Sequence, residues 1–415
     1  MLAMLLSLAL AAPAPLRLVD LLREAREKNP DLTAAAARVR AARSAISPAG
    51  ALDDPMLMVQ LWNSPVDFST VPLMVQVSQN IPLGGKRGAR TDMARADAAM
   101  ADADLGQKVR DVETQVASAY FDLFLADRTQ EIDDELEAIL NVVVRAAGAR
   151  VSTGKAEQVE LLRAQGALIQ LRSERETAID HRRSSWVRLS ALLDRDPNSP
   201  PGVTTRPGVL GALPDVVALS ERALRERPEL GGSRAAIEGA HAQERLARAN
   251  RIPDLGLFAA EMHSFRNPTG VSDFLFAGFQ VNLPIFFGSK NEPRIAGAQA
   301  QLVAAQEAAR ALRNRVVAEV AEGYAHLLAE THQIDLHHQL IPIARQAVRS
   351  AESSYAAGRS DFTMVLDSAR ELRMHEMNEA MHLAAYEQRL AELQRAVGSD
   401  LGLARAAEAG HEERH

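Results

Sequence analysis

The chain has 415 residues, no cysteine, aromatic residues at only 4% and a formal net charge of -7. The missing thiols exclude disulfides, thiolate metal sites, a cysteine nucleophile and a lipid-modified N-terminal cysteine. The acidic balance, with both signs interspersed, gives no electrostatic footprint for nucleic acid, and the Ala-, Arg-, Glu- and Leu-rich composition favours long, thin helices over thick packed cores.

The opening MLAMLLSLALAAPAP holds an apolar run of about ten residues followed by small ones, which suits a signal-peptide core. A bilayer-spanning helix needs about 20 apolar residues. Residues 1–14 are therefore expected to be an export signal cleaved near Ala12 or Ala14, although no Lys or Arg precedes the core. No later segment has the length and apolarity of a transmembrane helix, so any membrane-spanning part must be made of strands.

A helix is expected over Leu16 to Ser47, stepped at Asn29-Pro30, followed by a strand from Met56 to Trp62 and a turn-rich stretch from Asn63 to Thr70. The next strand, Leu73 to Gln79, alternates: Leu73, Val75 and Val77 share one face, Gln76 and Ser78 the other. That pattern suits a transmembrane strand and equally a half-buried soluble hairpin. At Ile81-Pro82-Leu83-Gly84-Gly85-Lys86 the period changes from strand to helix. Pro82 cannot donate to a ladder, and Gly84 frees the backbone to turn. A helix of about 65 residues, roughly 100 Å long, follows from Lys86 to Arg150. Gly154 and Lys155 mark a turn, and a second helix returns from Ala156 to Leu193.

The order then repeats. Arg227-Pro228 echoes Asn29-Pro30, and strands are expected from Ile252 and over Phe274 to Leu283, with Leu275, Ala277, Phe279 and Val281 on the apolar face. Pro284 and Gly288 stand where Pro82 and Gly84 stood. A helix from Lys290 to Ala356, interrupted at Pro293 and Pro342, leads to a turn at Gly358-Arg359 and a last helix from Asp361 to Val397. Tyr120 and Tyr324 share the offset of Gly154 and Gly358, so the duplication holds its register. The organisation is a signal over 1–14, a first repeat over 15–195, a linker over 196–215, a second repeat over 216–398 and a tail over 399–415. In the first half the two shorter helices together match the long one in length, so they are expected to stack end to end beside it. Four strands cannot close a barrel, and an open sheet in lipid leaves peptide groups unpaired, so oligomerisation is expected.

The strand-Pro-Gly-helix switch occurring twice, the Asn-Pro and Arg-Pro entries, the two helix-turn-helix tips and the duplication resemble the TolC-type outer-membrane efflux proteins, from about Leu16 to Gly398. The switch and the compact length look most like the heavy-metal branch. The resemblance implies a homotrimer, mainly α with a small β part. Twelve strands would form one β-barrel in outer-membrane lipid, joined at Pro82, Gly84, Pro284 and Gly288 to a long periplasmic α-barrel. It implies the exit duct of a tripartite system, with tips at Gly154, Lys155, Gly358 and Arg359 docking a periplasmic adaptor bound to an inner-membrane pump of the RND type. It also places an aperture near Asp367, Met364 and Asp361, where Asp361 better suits a helix N-cap. Heavy-metal cations are the expected cargo, with a drug-efflux or type I secretion duct as alternatives within the fold and a soluble helical-hairpin scaffold as the rival of another class.

No Gly-rich phosphate loop, His-Glu-x-x-His spacing or nucleophile elbow is present, so neither an enzyme nor a cofactor or metal site is expected. Asp133-Asp134 reads as a solvated pair on a polar helix face. Met374, Met377 and Met381 read as a packing stripe, and His332, His337 and His338 as scattered surface histidines, because none pair on one helix face.

Overall fold

The computed structural model describes residues 15–61, 72–154, 157–207, 213–264, 273–283 and 286–401. In chain order these form α1 (Leu18–Lys28), α2 (Pro30–Ser44), α3 (Ile46–Gly50), β1 (Met56–Leu61), β2 (Pro72–Ile81), α4 (Lys86–Ser152), α5 (Gln158–Leu192), α6 (Val216–Glu226) and α7 (Pro228–Ala249). They continue with β3 (Leu255–Ser264), β4 (Phe274–Val281), a π-helical turn (Phe287–Asn291), α8 (Glu292–Ala356) and α9 (Phe362–Val397). The expected signal segment, Trp62, Lys155, Pro284 and the tail beyond Leu401 lie outside the described residues. The chain divides into two compact units, one from within 1–33, 107–227 and 315–415, the other from within 34–106 and 228–314. Each draws on both halves of the sequence.

The second unit carries the sheet, in the order β1-β2-β3-β4 with every pairing antiparallel. β2 pairs with β3 from Pro72↔Ser264 to Ile81↔Leu255, so the two sequence halves join along a full strand. The strand-to-helix joint is built as its residues dictate. β2 ends at Ile81, directly before Pro82. Gly84 and Gly85 adopt φ of +70° and +78°, where a side chain is strained, and a Cβ on Gly84 would sit 2.6 Å from Ile252 Cδ1. Lys86 then opens α4 with its side chain buried: Nζ donates to Ile252 O at 2.7 Å and to Asp254 Oδ1 at 2.6 Å. A buried ammonium is tolerated only when so paired. The second copy of the motif folds differently. Gly288 lies within the π-helical turn and has no positive φ, so the backbone release expected of both glycines is used only at Gly84.

The first unit is helical, and its packing follows a seven-residue rhythm. On α5 the buried Ala164, Leu171, Ala178 and Ser185 recur every seventh residue. On α9 burial alternates by threes and fours from Phe362, Val365, Ala369 and Leu372 on to Val397. A strict heptad underwinds the helix so that one seam always faces its partner. Two clusters show the seams meeting. Leu136 and Leu140 of α4 and Leu171 of α5 pack with Ala344 and Val348 of α8 and Ala369 and Leu372 of α9. Nearer the turns, Val143, Ala164, Ala351, Tyr355, Phe362 and Val365 form a second layer. Each fully buried Leu contributes about 1.5–3 kcal/mol. α8 runs on through Pro342, contrary to the expected interruption; the ring leaves the His338 carbonyl without its usual donor.

The step between α1 and α2 is a cap. Asn29 is buried, its Oδ1 accepts from the amides of Asp31 and Leu32, and its Nδ2 donates to Leu192 O at 2.9 Å. Residues 196–207 are fastened to the helices: Trp186 Nε1 donates to Ser199 O, and the Thr204 amide and hydroxyl both donate to Asp127.

Because Lys86 depends on Asp254, removing the carboxylate leaves a buried charge. Asp254→Ala is expected to destabilise the joint by about 3–5 kcal/mol, and Lys86→Met with Asp254→Ala together by less than Asp254→Ala alone. Thermal unfolding of the purified protein checks this; a double variant as unstable as the single one contradicts the role.

Candidate functional site: an amphipathic sheet and two helical tips

The register sorts the strand residues onto two faces. One presents Leu57, Val59, Leu61, Leu73, Val75, Val77, Leu257, Leu275, Phe279 and Val281, with Gln79, Glu261 and His263 as its polar members. The other carries Gln60, Gln76, Ser78, Asn80 and Gln280, together with Met56, Met58, Met74, Phe258, Met262, Phe274 and Phe276. On the apolar face Leu275 is 82% exposed and Phe279 73%. An exposed apolar surface of this extent marks contact with lipid or protein. The faces expected for β2 and β4 are those observed. Among the described residues β1 and β4 are edge strands with unpaired outer ladders.

At the tips, Gly154 and Gly358 hold φ of +70° and +72° and end α4 and α8, with open space around each Cα. Gly358 N donates to Tyr355 O and Arg359 N to Ser354 O, a tight turn that leaves the Arg359 side chain exposed. Just behind the tips the guanidinium of Arg150 lies 4.7 Å over the Tyr355 ring, tying α4 to α8. Met364 and Asp367, three residues apart on α9, both project from the exposed side of that helix, opposite the buried Val365. Asp361 caps α9: its Oδ1 accepts from Thr363 Oγ1 at 2.7 Å and from Met364 N at 3.2 Å, and these bonds hold its carboxyl below the usual range.

Asp133, His337 and the methionine stripe stand differently from the sequence expectation. Asp133 is 1% exposed and receives Arg373 Nε at 2.8 Å, so it is a buried cross-link between α4 and α9; only Asp134 is half-exposed, paired with Arg175. His337 is buried in the α8 seam, three residues after Ile334, and meets His375 across the helix pair with Nδ1 to Nδ1 at 3.2 Å. Burial, then the nearby His375 and His382, lowers its pKa. The contact is made between two helices, so no histidine spacing within one helix signals it; the heptad along α8, through Ile334, does place His337 in the seam. Of the methionine stripe, Met374 and Met377 line a cavity with Leu136, Leu140 and Leu171, while Met374 and Met381 remain half-exposed. A further cleft of about 360 Å³ is lined by Arg23, Arg26, Arg110 and Arg395 and by Glu387, whose carboxyl burial pushes up to about 7.

The family model described as outer membrane efflux protein matches residues 21–195 and 219–399. This chain belongs to the outer membrane efflux protein family. Among named relatives, the cobalt-zinc-cadmium resistance protein CzcC of Cupriavidus metallidurans is 27% identical, over 87% of this chain and 85% of its own. The nickel and cobalt resistance protein CnrC of the same organism is 27% identical over 76% of each chain. The fold matches the solved channel CusC with a TM-score of 0.81, at 19% identity, over 95% of this chain and 96% of that one.

The protein is therefore an outer-membrane efflux channel that extends into the periplasm, and its family is one of passive channels. The family sets aside the soluble-scaffold reading. No helix among the described residues is long and apolar enough to cross a membrane, and the exposed apolar sheet face is the surface that suits lipid.

If that face meets hydrocarbon, charge placed on it is costly. Val77→Arg is expected to lower stability by about 2–4 kcal/mol near the bilayer midplane and to deplete the protein from the outer membrane, whereas Gln76→Arg, on the other face, is tolerated. Equal membrane yields for the two variants would show that the faces are assigned wrongly.

Proposed function

We propose that the protein is the homotrimeric exit duct of a tripartite efflux system for divalent heavy-metal cations. A periplasmic adaptor would grip the tips around Gly154, Lys155, Gly358 and Arg359, and an RND-type inner-membrane pump would supply the energy. The metal-resistance relatives CzcC and CnrC support the cargo. The observation that carries the assembly is the four-stranded amphipathic sheet with two open edges. Strand edges are not stable in lipid, about eight strands are needed to close a barrel, and cyclic symmetry would join β4 of one copy to β1 of the next. Three copies supply twelve strands.

Asp367 and Met364 suit an aperture because they stand on the exposed side of α9 within its first two turns, with no role in the packed seam. Three symmetry-related Asp367 carboxylates would favour cations and repel anions.

Deleting the gene should sensitise cells to Co²⁺, Ni²⁺, Zn²⁺ or Cd²⁺ while tolerance of dyes and detergents is unchanged. The opposite pattern would overturn the cargo and favour a drug duct. In planar bilayers Asp367→Asn should move the cation-to-anion permeability ratio toward unity at low salt and less at 1 M, where screening acts within about 3 Å. An unchanged reversal potential would remove Asp367 from the aperture.

A further inference from the structure

The seam between α8 and α9 is apolar along most of its length, and a polar layer interrupts it. His337 and His375 are 8% and 9% exposed, and their Nδ1 atoms face each other at 3.2 Å. His382 stacks on His337, with ring centroids 5.8 Å apart and planes at 13°, and its Nδ1 meets Glu330 at 2.8 Å. Glu379 receives His338 on one oxygen and Arg206 on the other. Two neutral imidazoles placed this way can share a single N–H, and one ring nitrogen of each then points into the same small space.

That spacing is also what two ligands of one metal ion adopt. Nitrogens about 2.0–2.1 Å from an ion and set at the tetrahedral angle lie about 3.3–3.4 Å apart. We propose that His337 and His375 hold one divalent transition-metal ion between α8 and α9, resident in the helical wall and distinct from any cargo in transit. Imidazole nitrogen suits Zn²⁺, Cu²⁺ and Ni²⁺. The ion takes the place of the proton between the rings, which moves by exchange with solvent to Nε2 of the same ring, so that both imidazoles bind neutral through Nδ1 with Nε2 protonated. The outer nitrogen of His375 faces Glu371 at 4.0 Å, where a carboxylate orients a ligating ring once the site closes, and the Glu379 and Glu330 carboxylates balance the added charge. Among the described residues no group of three or more His, Cys, Asp or Glu is placed to hold an ion together, so water completes the coordination. Linking one residue from each helix, the ion would clamp the α8–α9 hairpin at the polar layer of its seam.

The probe is Cu²⁺, titrated to one equivalent per protomer of the full chain purified in detergent and examined by pulsed electron paramagnetic resonance, which counts coordinated imidazoles. Two imidazoles are expected in the unsubstituted protein, a readout that depends on no variant. His337→Gln and His375→Gln should each weaken binding at least tenfold and leave one imidazole, whereas His338→Gln, one residue away and exposed, should change neither. Fewer than two imidazoles in the unsubstituted protein, or His337→Gln binding as tightly as that protein, overturns the site and leaves the layer as a hydrogen-bonded element that fixes helix register.

Discussion

A strand in hydrocarbon must have every backbone N–H and C=O paired, because no water is there to take their place. Much of this chain follows from that constraint. It requires that the two sequence halves lay β2 against β3 along their whole length, since separate hairpins would expose two more edges. Among the described residues it leaves β1 and β4 as edge ladders, which the proposed assembly would pair between copies. It also requires a clean stop where strand becomes helix, because a helix supplies its own backbone partners and a strand does not. Pro82 ends the ladder, Gly84 and Gly85 turn the chain through conformations other residues resist, and Lys86 anchors the new helix to Asp254 and the Ile252 carbonyl.

The helices obey a different rule. Backbone pairing is internal to each, so specificity rests on side-chain seams, and the heptad spacing on α5 and α9 keeps those seams facing their partners over many turns. Apolar seams alone would permit sliding by a heptad. Buried polar contacts oppose this: Arg373 reaches Asp133, Arg345 reaches Glu376, and His337 reaches His375. Each leaves an unpaired buried group if the helices shift, so each selects one register. Their placement in the α4, α8 and α9 seams ties the helices that carry the tips to one another.

The architecture was legible because its signals are periodic. Alternation in Leu73–Gln79 and Phe274–Val281 assigned faces that the pairing register reproduces, and the paired glycines located both tips. Contacts between distant helices left no such trace. Asp133 reads as a solvated carboxylate because its partner Arg373 lies in the other half of the chain, and His337 reads as isolated because its partner His375 lies on the next helix. The second joint shows the limit of the repeat: Gly288 occupies the place of Gly84 in sequence yet sits in a π-helical turn, because its surroundings do not demand a left-handed residue. Likewise Pro342, a strong local breaker, is overridden by the seam residues Ala344, Val348 and Ala351 packed beyond it.

The central claim is that the sheet is one share of a barrel completed by other copies. The chain has no cysteine, so introduced thiols report without background. Single cysteines scanned along β1 in combination with single cysteines along β4 should, in outer membranes under mild oxidation, yield disulfide-linked dimers and trimers at matched positions and none larger. Absence of any linked species across the scan, with the protein present in the membrane, would contradict closure between β1 and β4.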